Sequence, residues 1–415
     1  MKMDAESKEA VPKSPEQAPV LWNQKWMIGD PHMDNQLLRC LTGVGVRIGE
    51  IGEILDTGSR IKAGNDESFY EEFFKTAERV KAIGDDCLKQ GFKISAGEAY
   101  MRAANYYRAS EFMFHADPND PRILVAYRAC ADCFKKGAKL LSIPLEEVQI
   151  PYEGTTLRGY FFKAPGVEKN APILIAQQGF DGAMEETYHV PRAANLRGYH
   201  CLLFEGPGQG LSIREKGLTF RPDWEKVITP VVNYVVKRKE VDPKRIAYLA
   251  LSMGGYLSTR AAAGEPRLKI VIANQGIYDF AESNLRELPP IIVKQFLAKD
   301  KEGLNNTAAA IMKQSTAFRW SVNDGMWKFG VDSAFGLLEK TRAYTPANMN
   351  DIKCKFLVMD GDGDGSDQGR KLYDALTCPK EYMWFERAST GSFHCQAGAH
   401  AISDQRMFDW LDKNI

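Results

Sequence analysis

The chain has 415 residues, of which 44% are hydrophobic, and its 54 lysines and arginines balance 54 aspartates and glutamates. This length accommodates a catalytic domain with its own core and an accessory region. Because the net charge is zero, we expect neither nucleic acid nor an anionic membrane surface as a partner. No uninterrupted apolar run approaches the roughly 18 residues that a membrane-spanning helix needs.

Residues 1–20 are rich in Lys, Glu, Ser and Pro and have no apolar centre. This composition predicts a disordered tail rather than a signal peptide. Eight scattered cysteines without an export signal favour reduced thiols and a cytoplasmic location. We expect a small-molecule partner, and the sequence leaves open a homodimer.

Helical periodicity runs through residues 21–141, where Tyr, Phe, Met and Leu recur at three- and four-residue spacing. We interpret this region as a helical packing unit that also acts as a lid. Cys130 and Cys133 form a CxxC pair within it, but no second pair completes a zinc site. They are therefore interpreted as helix residues.

From residue 142 onwards, strand patterns appear and then alternate with helical ones. Residues 147–162 alternate as a hairpin that turns at 152–156, and later apolar runs predict short buried strands: 172–176, 201–205, 246–251, 270–274, 356–359 and 382–385. Helical segments such as 224–239 separate them, so the chain predicts an α/β fold whose mostly parallel sheet has helices on both faces. The core spans 142–279 and 351–415, and the helical interval 280–350 between them reads as an inserted cap.

Two glycine-containing loops follow predicted strands. Gln178-Gly179-Phe180-Asp181-Gly182 follows the strand 172–176, and the backbone N–H of Phe180 is a candidate donor to an oxyanion. Gly206-Pro207-Gly208-Gln209-Gly210 lacks both the GK[ST] ending of a phosphate loop and the GxGxxG spacing of a dinucleotide site. We interpret it as a tight structural turn.

Ser252 lies in Ala250-Leu251-Ser252-Met253-Gly254-Gly255, between a strand and the helix-compatible segment 256–263. Such a nucleophile elbow exposes the serine hydroxyl and turns the N–H of the next residue, Met253, towards a developing oxyanion. Crowding there requires small residues two before and two after the serine. Gly254 satisfies this, whereas Ala250 stands where glycine is usual, and an ordinary turn is the alternative.

An acid and a histidine follow in the order that a serine triad needs. The strand 355–359 opens into Asp360-Gly361-Asp362-Gly363-Asp364-Gly365, where Asp364 is the first choice because it follows Gly361 by three, with Asp362 and Asp367 in reserve. The run also resembles the first half of a calcium loop, but Lys371 occupies its twelfth position.

His394 is the candidate base, because it lies in a loop before the helix 399–411, whereas the competing His400 lies inside that helix. The remaining histidines show no metal-binding spacing. A Ser-His-Asp triad requires no metal or other cofactor, and we expect none.

The cap and the region before it supply candidate pocket residues. Asp279 and Glu282 follow a core strand as candidate pocket acids, with surface carboxylates as the alternative. Aromatic and methionine side chains of the cap suggest an apolar, aromatic or polyketide-derived substrate, with helix packing as the alternative: Phe318, Trp320, Met326, Trp327 and Phe329.

Four segments carry a resemblance to a known family: 204–210, 220–224, 251–256 and 393–396. They resemble the FrsA-like, or dipeptidyl aminopeptidase-like, branch of the α/β-hydrolases, and the similarity extends from about residue 145 to 412. That branch includes 2,6-dihydroxypseudooxynicotine hydrolase and fungal hydrolases that shorten a heptaketide pigment precursor. The resemblance implies an α/β-hydrolase fold, a helical region that helps to close the site, and a triad of Ser252, Asp364 and His394.

The resemblance further implies cleavage of ester-like or 1,3-diketone-like bonds, so we expect a serine hydrolase. An acyl transferase or cyclase that uses the same triad while excluding water is one alternative. A non-catalytic ligand receptor on the same scaffold is another, but the presence of all three triad residues opposes it.

Overall fold

A computed structural model describes residues 25–167, 169–364 and 367–415. The tail expected at 1–20 lies outside the described residues. Five α-helices precede the first strand in the described part of the chain: α1 Pro31–Thr42, α2 Ile51–Arg60, α3 Asp66–Lys89, α4 Lys93–Ser110 and α5 Pro121–Leu140.

Helix α1 begins at a strong N-terminal cap. Asp30 accepts hydrogen bonds from the N–H groups of His32 and Met33, and Pro31 occupies the first helical position, where a missing N–H costs nothing. The buried carboxylate of Asp34 accepts four backbone N–H groups from residues 26–29. These bonds fix the start of α1 against the preceding segment.

Within the described residues, eight strands form one sheet in the order β1-β2-β4-β3-β5-β6-β7-β8. Their bounds are β1 Leu145–Tyr152, β2 Thr155–Phe162, β3 Ala171–Gln177, β4 His200–Phe204, β5 Val241–Leu251, β6 Ile270–Asn274, β7 Lys355–Gly361 and β8 Lys380–Phe385. The first two form the expected hairpin, β2 pairs antiparallel with β4, and the remaining pairs are parallel. The predicted α/β fold with a mostly parallel sheet is confirmed.

Helices flank the sheet and cover its carboxyl edge. The core carries α6 His189–Leu196, α7 Gly210–Arg214, α8 Glu225–Val235, α9 Gly254–Gly264, α15 Gln368–Ala375 and α16 His400–Asp412. Between β6 and β7 the chain forms α10 Phe280–Arg286, α11 Pro290–Leu297, α12 Lys301–Met312, α13 Thr316–Phe329 and α14 Ala334–Thr341. We call these last five helices the cap.

Both faces of the sheet are buried, as the pleat of β3 illustrates. Leu174 and Ala176 point into a core shared with α3, α4 and α5, whereas Ile173 and Ile175 point into a second core with α8 and α9. Alternate side chains of a strand face opposite ways, so a nearly continuous apolar run serves both layers. Among the described residues, no helix is both long and apolar enough to cross a membrane.

The cap is attached to the N-terminal helices by polar contacts. The indole N–H of Trp320 on α13 donates to the carbonyl of Phe112 at 2.9 Å, and Arg319 pairs with Asp66 at 2.8 Å. Since β3, β5, β6 and β7 are parallel, their carboxyl ends share one edge of the sheet. The N-terminal helices and the cap meet over that edge.

Candidate active site

Ser252 occupies the tight turn between β5 and α9, at the centre of the sheet. Its backbone φ of 59° lies in the left-handed region that residues other than glycine rarely adopt. Its N–H donates to the carbonyl of Asn274 at 2.6 Å, which ties the turn to the end of β6. The N-terminus of α9 follows directly, and its partial positive charge favours an oxyanion beside the serine.

The turn is as crowded as the small residues around Ser252 predict. A Cβ on Gly254 would lie 2.9 Å from the Cβ of Ala250, so one of the two positions must be glycine. A Cβ on Gly179 would lie 2.8 Å from both the Cβ of Ser252 and the N of Met253. The loop after β3 therefore packs directly on the elbow.

The candidate oxyanion donors flank Ser252. Met253 N directly follows the serine, and Phe180 N belongs to the peptide that joins Gly179 to Phe180. Within the described segments, neither N–H donates a hydrogen bond to another protein group. Both are therefore available to a negatively charged oxygen, for which one such donor is worth about 3 kcal/mol.

His394 connects the serine to an acid. The Ser252 hydroxyl donates to His394 Nε2 at 2.9 Å, and His394 Nδ1 donates to Asp364 Oδ1 at 2.7 Å. The side chain of Asp364 is 1% exposed, and its second oxygen accepts the N–H of Gly361 at 3.0 Å. The structure thus brings together the three residues that the sequence suggests for a triad.

We call the segment 360–367, which begins at the end of β7, the acid loop. Its other two candidate aspartates contact different partners. Asp362 accepts the backbone N–H of Arg387, and Asp367 pairs with Arg286 at 2.6 Å. The glycine content of the loop has a steric reason, since a Cβ on Gly363 would lie 2.2 Å from the carbonyl of Ser392. This close approach packs the acid loop against the loop that carries Ser392 and His394.

The charge on Asp364 affects both of its neighbours. Burial alone would lower the pKa of His394, but the neighbouring Cys395 and Asp364 raise it well above 6.5. Burial and the charge of Asp364 raise the pKa of Asp360 well above 3.8, and the Tyr382 hydroxyl donates to Asp360 at 3.1 Å. Asp360 therefore keeps its proton to higher pH than an ordinary aspartate does.

A cavity of about 930 Å³ opens over Ser252 and His394. Apolar side chains of the cap line much of it: Leu288, Ile292, Leu304, Ile311, Phe318, Val322, Phe329 and Leu337. Such a space matches a drug-sized organic molecule, which apolar walls hold and a few polar groups orient.

Another part of the cavity wall is polar and comes from α1, where His32 packs against Trp320 of the cap. His32, Asn35 and Arg39 line it, and Arg39 pairs with Asp181 at 2.8 Å and with Glu186 at 2.6 Å. Burial lowers the pKa of His32 to about 4, so its ring is neutral near pH 7. Sequence reasoning missed this wall, because isolated polar residues on a helix carry no local motif.

The two cap tryptophans occupy different places. Trp320 lines the cavity, where its ring stacks on Phe112 at 4.9 Å and meets Phe180 edge-on at 5.9 Å. Trp327 lies against His115, with ring centroids 4.9 Å apart, and is not among the residues that line this cavity. Seven residues span about 10 Å along a helix, so α13 carries Trp327 beyond the substrate space.

Neither candidate pocket acid lines the cavity. Asp279 caps α10 by accepting the N–H of Glu282, and Glu282 pairs with Lys371 at 2.7 Å. A different carboxyl, Glu287, follows α10 and does line the cavity. Although the residue is in part exposed to solvent, the protein around its carboxyl raises its pKa, as does the charge of Asp364, and His394 opposes the shift.

Two further polar residues hold the loop after β3, and no strong local motif marks either of them. Gln209 lies in the glycine turn 206–210 and donates to the carbonyl of Gly179 at 2.8 Å. Lys328, the one lysine in the aromatic segment 318–329, donates to the carbonyl of Phe180 at 2.8 Å. An amide within a glycine turn and a lysine within an aromatic run are the only local signals.

Comparison with known proteins shows the family. No protein-family model matches the chain. Hydrolase LUC6 of Fusarium sp. is 34% identical over 388 residues, covering 88% of this chain and 92% of the relative. The 20-hydroxy-prefusarin hydrolase FUS2 of Gibberella moniliformis is 33% identical over 405 residues, covering 92% and 96%. The α/β hydrolase psoB of Aspergillus fumigatus is 31% identical and covers 93% of each chain.

Solved structures show the same fold. The 2,6-dihydroxy-pseudo-oxynicotine hydrolase superposes with a TM-score of 0.66 at 20% identity, covering 90% of this chain and 95% of that one. AbyA5 superposes with a TM-score of 0.60 at 14% identity, covering 92% and 97%. The fold and the relatives define an α/β-hydrolase. The chain belongs to the family of fungal α/β-hydrolases that includes LUC6, FUS2 and psoB, so the expected resemblance and the assignment as an enzyme are confirmed.

Proposed function

We propose that this enzyme is a serine hydrolase that cleaves an ester, or a carbon–carbon bond beside a ketone, in an apolar, polyketide-derived small molecule. The observation that carries the proposal is the hydrogen-bonded chain from Ser252 through His394 to Asp364 at the floor of the cavity. A serine hydroxyl is a weak nucleophile until an adjacent base takes its proton, and this geometry supplies that base.

In the first half-reaction, Ser252 Oγ forms a bond to the substrate carbonyl carbon while its proton passes to His394 Nε2. Asp364 holds the imidazole and stabilises its positive charge. The carbonyl oxygen becomes an oxyanion that accepts the N–H groups of Met253 and Phe180. As the carbonyl re-forms, the bond to the leaving group breaks, and the departing alkoxide or enolate takes the proton from His394.

In the second half-reaction, water attacks the acyl group on Ser252 and gives a proton to His394. A second tetrahedral oxyanion forms between the same two N–H groups. Its collapse releases the carboxylic acid, and the proton returns from His394 to the Ser252 hydroxyl. Neither half needs a metal ion or an organic cofactor.

The cavity and the relatives support the substrate class. The cap contributes mostly apolar side chains and α1 contributes polar groups, which suits a largely apolar molecule that carries some polar groups. One relative is named a 20-hydroxy-prefusarin hydrolase, and this name favours a small-molecule substrate over a peptide. The cytoplasmic location and a homodimer remain predictions from the sequence.

A fluorophosphonate probe tests the nucleophile. It should label wild-type protein at Ser252, and Ser252→Ala should fold normally while turnover falls by roughly a millionfold. Mass mapping of the labelled peptide and the thermal unfolding midpoint provide the two measurements. Labelling at another residue would remove the basis of the proposal.

Product analysis separates hydrolysis from acyl transfer. With an aryl ester and a 1,3-diketone of similar size, the acid released in heavy-oxygen water should carry one heavy oxygen atom from the second half-reaction. An unlabelled ester or a cyclic product would instead support the transferase or cyclase alternative.

A further inference from the structure

Hydrogen bonds to two consecutive backbone carbonyl groups hold the loop after β3 in place. The Gly179 carbonyl accepts a hydrogen bond from Gln209 Nε2, and the Phe180 carbonyl accepts one from Lys328 Nζ, each at 2.8 Å. In a trans peptide the C=O and N–H bonds point in opposite directions. Anchoring the Gly179 carbonyl on Gln209 therefore directs the Phe180 N–H, which belongs to the same peptide, away from Gln209.

Gln209 is itself held by the turn around it. Its Oε1 accepts the N–H of Gly206 at 2.9 Å, and the residue is 3% exposed. Gly208 and Gly210 have φ values of 84° and 44°, and a Cβ on Gly210 would lie 2.0 Å from a carboxylate oxygen of Glu205. This packing leaves the amide little freedom to turn away from Gly179.

Lys328 is held by a buried series of charges. Its Nζ lies 2.9 Å from Asp324, and the other Asp324 oxygen lies 2.8 Å from His115 Nδ1. His115 Nε2 lies 2.6 Å from Glu111, whose second oxygen pairs with Arg214 at 2.7 Å. All five side chains are at most 5% exposed.

The series joins three parts of the chain. Glu111 and His115 follow α4, Arg214 ends α7 in the core, and Asp324 and Lys328 belong to α13 in the cap. Burial alone would lower the pKa of His115, but the flanking carboxylates raise it, so the ring keeps its proton to higher pH than an ordinary histidine does. Buried charges persist when paired in this way, and removing one partner leaves another uncompensated.

We infer that Gln209 and Lys328 are positioning residues, which hold the Gly179 and Phe180 carbonyls so that the Phe180 N–H faces the oxyanion formed at Ser252. The buried charge series makes this placement depend on the cap and the N-terminal helices being in place. The inference rests on the proposed function, because it assigns these residues to the oxyanion site of that reaction.

Four variants test the two contacts. Gln209→Met removes the amide at similar size, whereas Gln209→Glu keeps the acceptor for Gly206 but replaces the donor. Lys328→Met removes the ammonium, and Lys328→Arg retains a charged donor. Gln149→Met, on the exposed edge of β1, and Lys380→Met, whose ammonium also binds backbone carbonyls but away from the cavity, are the controls.

Loss of either donor should lower kcat about 10- to 100-fold with little change in KM, because the oxyanion contact is made in the transition state. Lys328→Arg should recover part of the loss, and both controls should keep wild-type kcat. Thermal unfolding identifies variants that are destabilised by their buried partners, and kcat is compared well below each midpoint.

An aryl trifluoromethyl ketone separates oxyanion positioning from a structural role. Ser252 Oγ adds to its carbonyl carbon, the hydroxyl proton passes to His394, and the carbonyl oxygen becomes the oxyanion. The inhibition constant should therefore rise by the same factor as kcat/KM falls. A fall in kcat with an unchanged inhibition constant in folded variants would overturn the inference, as would unchanged kcat in both Met variants.

The inference and the proposed function fail in different ways. If the ketone does not inhibit wild-type protein and the fluorophosphonate labels a residue other than Ser252, the proposed function is wrong. If wild type reacts at Ser252 while all four variants behave as wild type, only the positioning inference is wrong.

Discussion

Three aspartates compete for one role in the acid loop, and their contacts distinguish them. Asp364 hydrogen-bonds to His394, whereas Asp362 accepts a backbone N–H and Asp367 pairs with an arginine. Asp364→Asn should therefore lower kcat by about four orders of magnitude, because an amide supports the wrong tautomer of His394. Asp362→Asn and Asp367→Asn serve as matched controls. Either control losing as much activity as Asp364→Asn would contradict the assignment.

The pH dependence of the same variant gives a second readout. Since the pKa of His394 lies well above 6.5, wild-type kcat/KM should rise with pH through that raised value as the imidazole loses its proton. Removing the Asp364 charge should move the midpoint of the residual activity to lower pH. A pH profile of kcat/KM for both proteins measures the shift, and an unmoved midpoint would contradict it.

Glu287 is the carboxyl best placed to donate a hydrogen bond to an enolate as it leaves and takes the proton of His394. It lines the cavity, and its raised pKa keeps it protonated to higher pH than an ordinary glutamate. Glu287→Gln should slow hydrolysis of a 1,3-diketone by about tenfold or more, while an aryl ester, whose phenolate leaves unaided, should change little. Glu282→Gln, which alters only a pair with Lys371, is the matched control. Equal effects on both substrates would rule out this role.

At the scale of elements, the sequence predicts those features of the site that arise from a local pattern of residues. The elbow follows from a strand, a small-residue turn and a helix, and the triad residues follow from their positions after β5, β7 and β8. The contacts of Gln209 and Lys328 with the loop after β3 span 30 and 148 residues of sequence. No periodicity within either segment encodes such a pairing, so only the folded chain reveals it.

The same limit applies to α13. Sequence places Trp320 and Trp327 together as aromatic cap residues, but their separation along the helix brings only Trp320 to the cavity. Asp279 and Glu282 likewise follow a core strand, yet neither side chain faces the cavity. Asp279 accepts the N–H of Glu282 at the start of α10, and Glu282 pairs with Lys371. Whether a side chain faces a cavity depends on helix placement, which a single sequence does not specify.

Helix α13 should select substrates through Trp320. Its ring stacks on Phe112 and contacts Phe180 beside the reaction centre. Trp320→Ala should lower kcat/KM for bulky ketones or aryl esters about 10- to 100-fold, which is the scale of lost pocket contacts, and should barely change hydrolysis of a small acetate ester. Trp320→Phe keeps a ring without the N–H donor and should lose less. Equal losses on large and small substrates would show that the residue supports the scaffold.

At the scale of the whole molecule, the cavity forms where three regions meet. The sheet provides Ser252 and His394, the cap provides the apolar wall, and α1 provides the polar wall. Walls from three regions limit the contact of Ser252 and His394 with bulk water, and electrostatic interactions are stronger where water is limited. Packing of these regions also buries ionisable groups such as His32, so the assembled fold has a stability that depends on pH.

His32 should make the fold sensitive to acid. Its pKa is about 4 in the native state and 6.5 in the unfolded chain, so the unfolded state binds more protons between these values. The free energy of unfolding should therefore decrease as pH falls from 6.5 to 4, by up to about 3 kcal/mol from this residue.

His32→Phe keeps a ring beside Trp320 and removes the titration. Denaturant unfolding of both proteins across this range should show wild type losing stability relative to the variant, with a constant difference above pH 7.5. Parallel curves throughout would show that His32 keeps its ordinary pKa and that the wall formed by α1 is open to water.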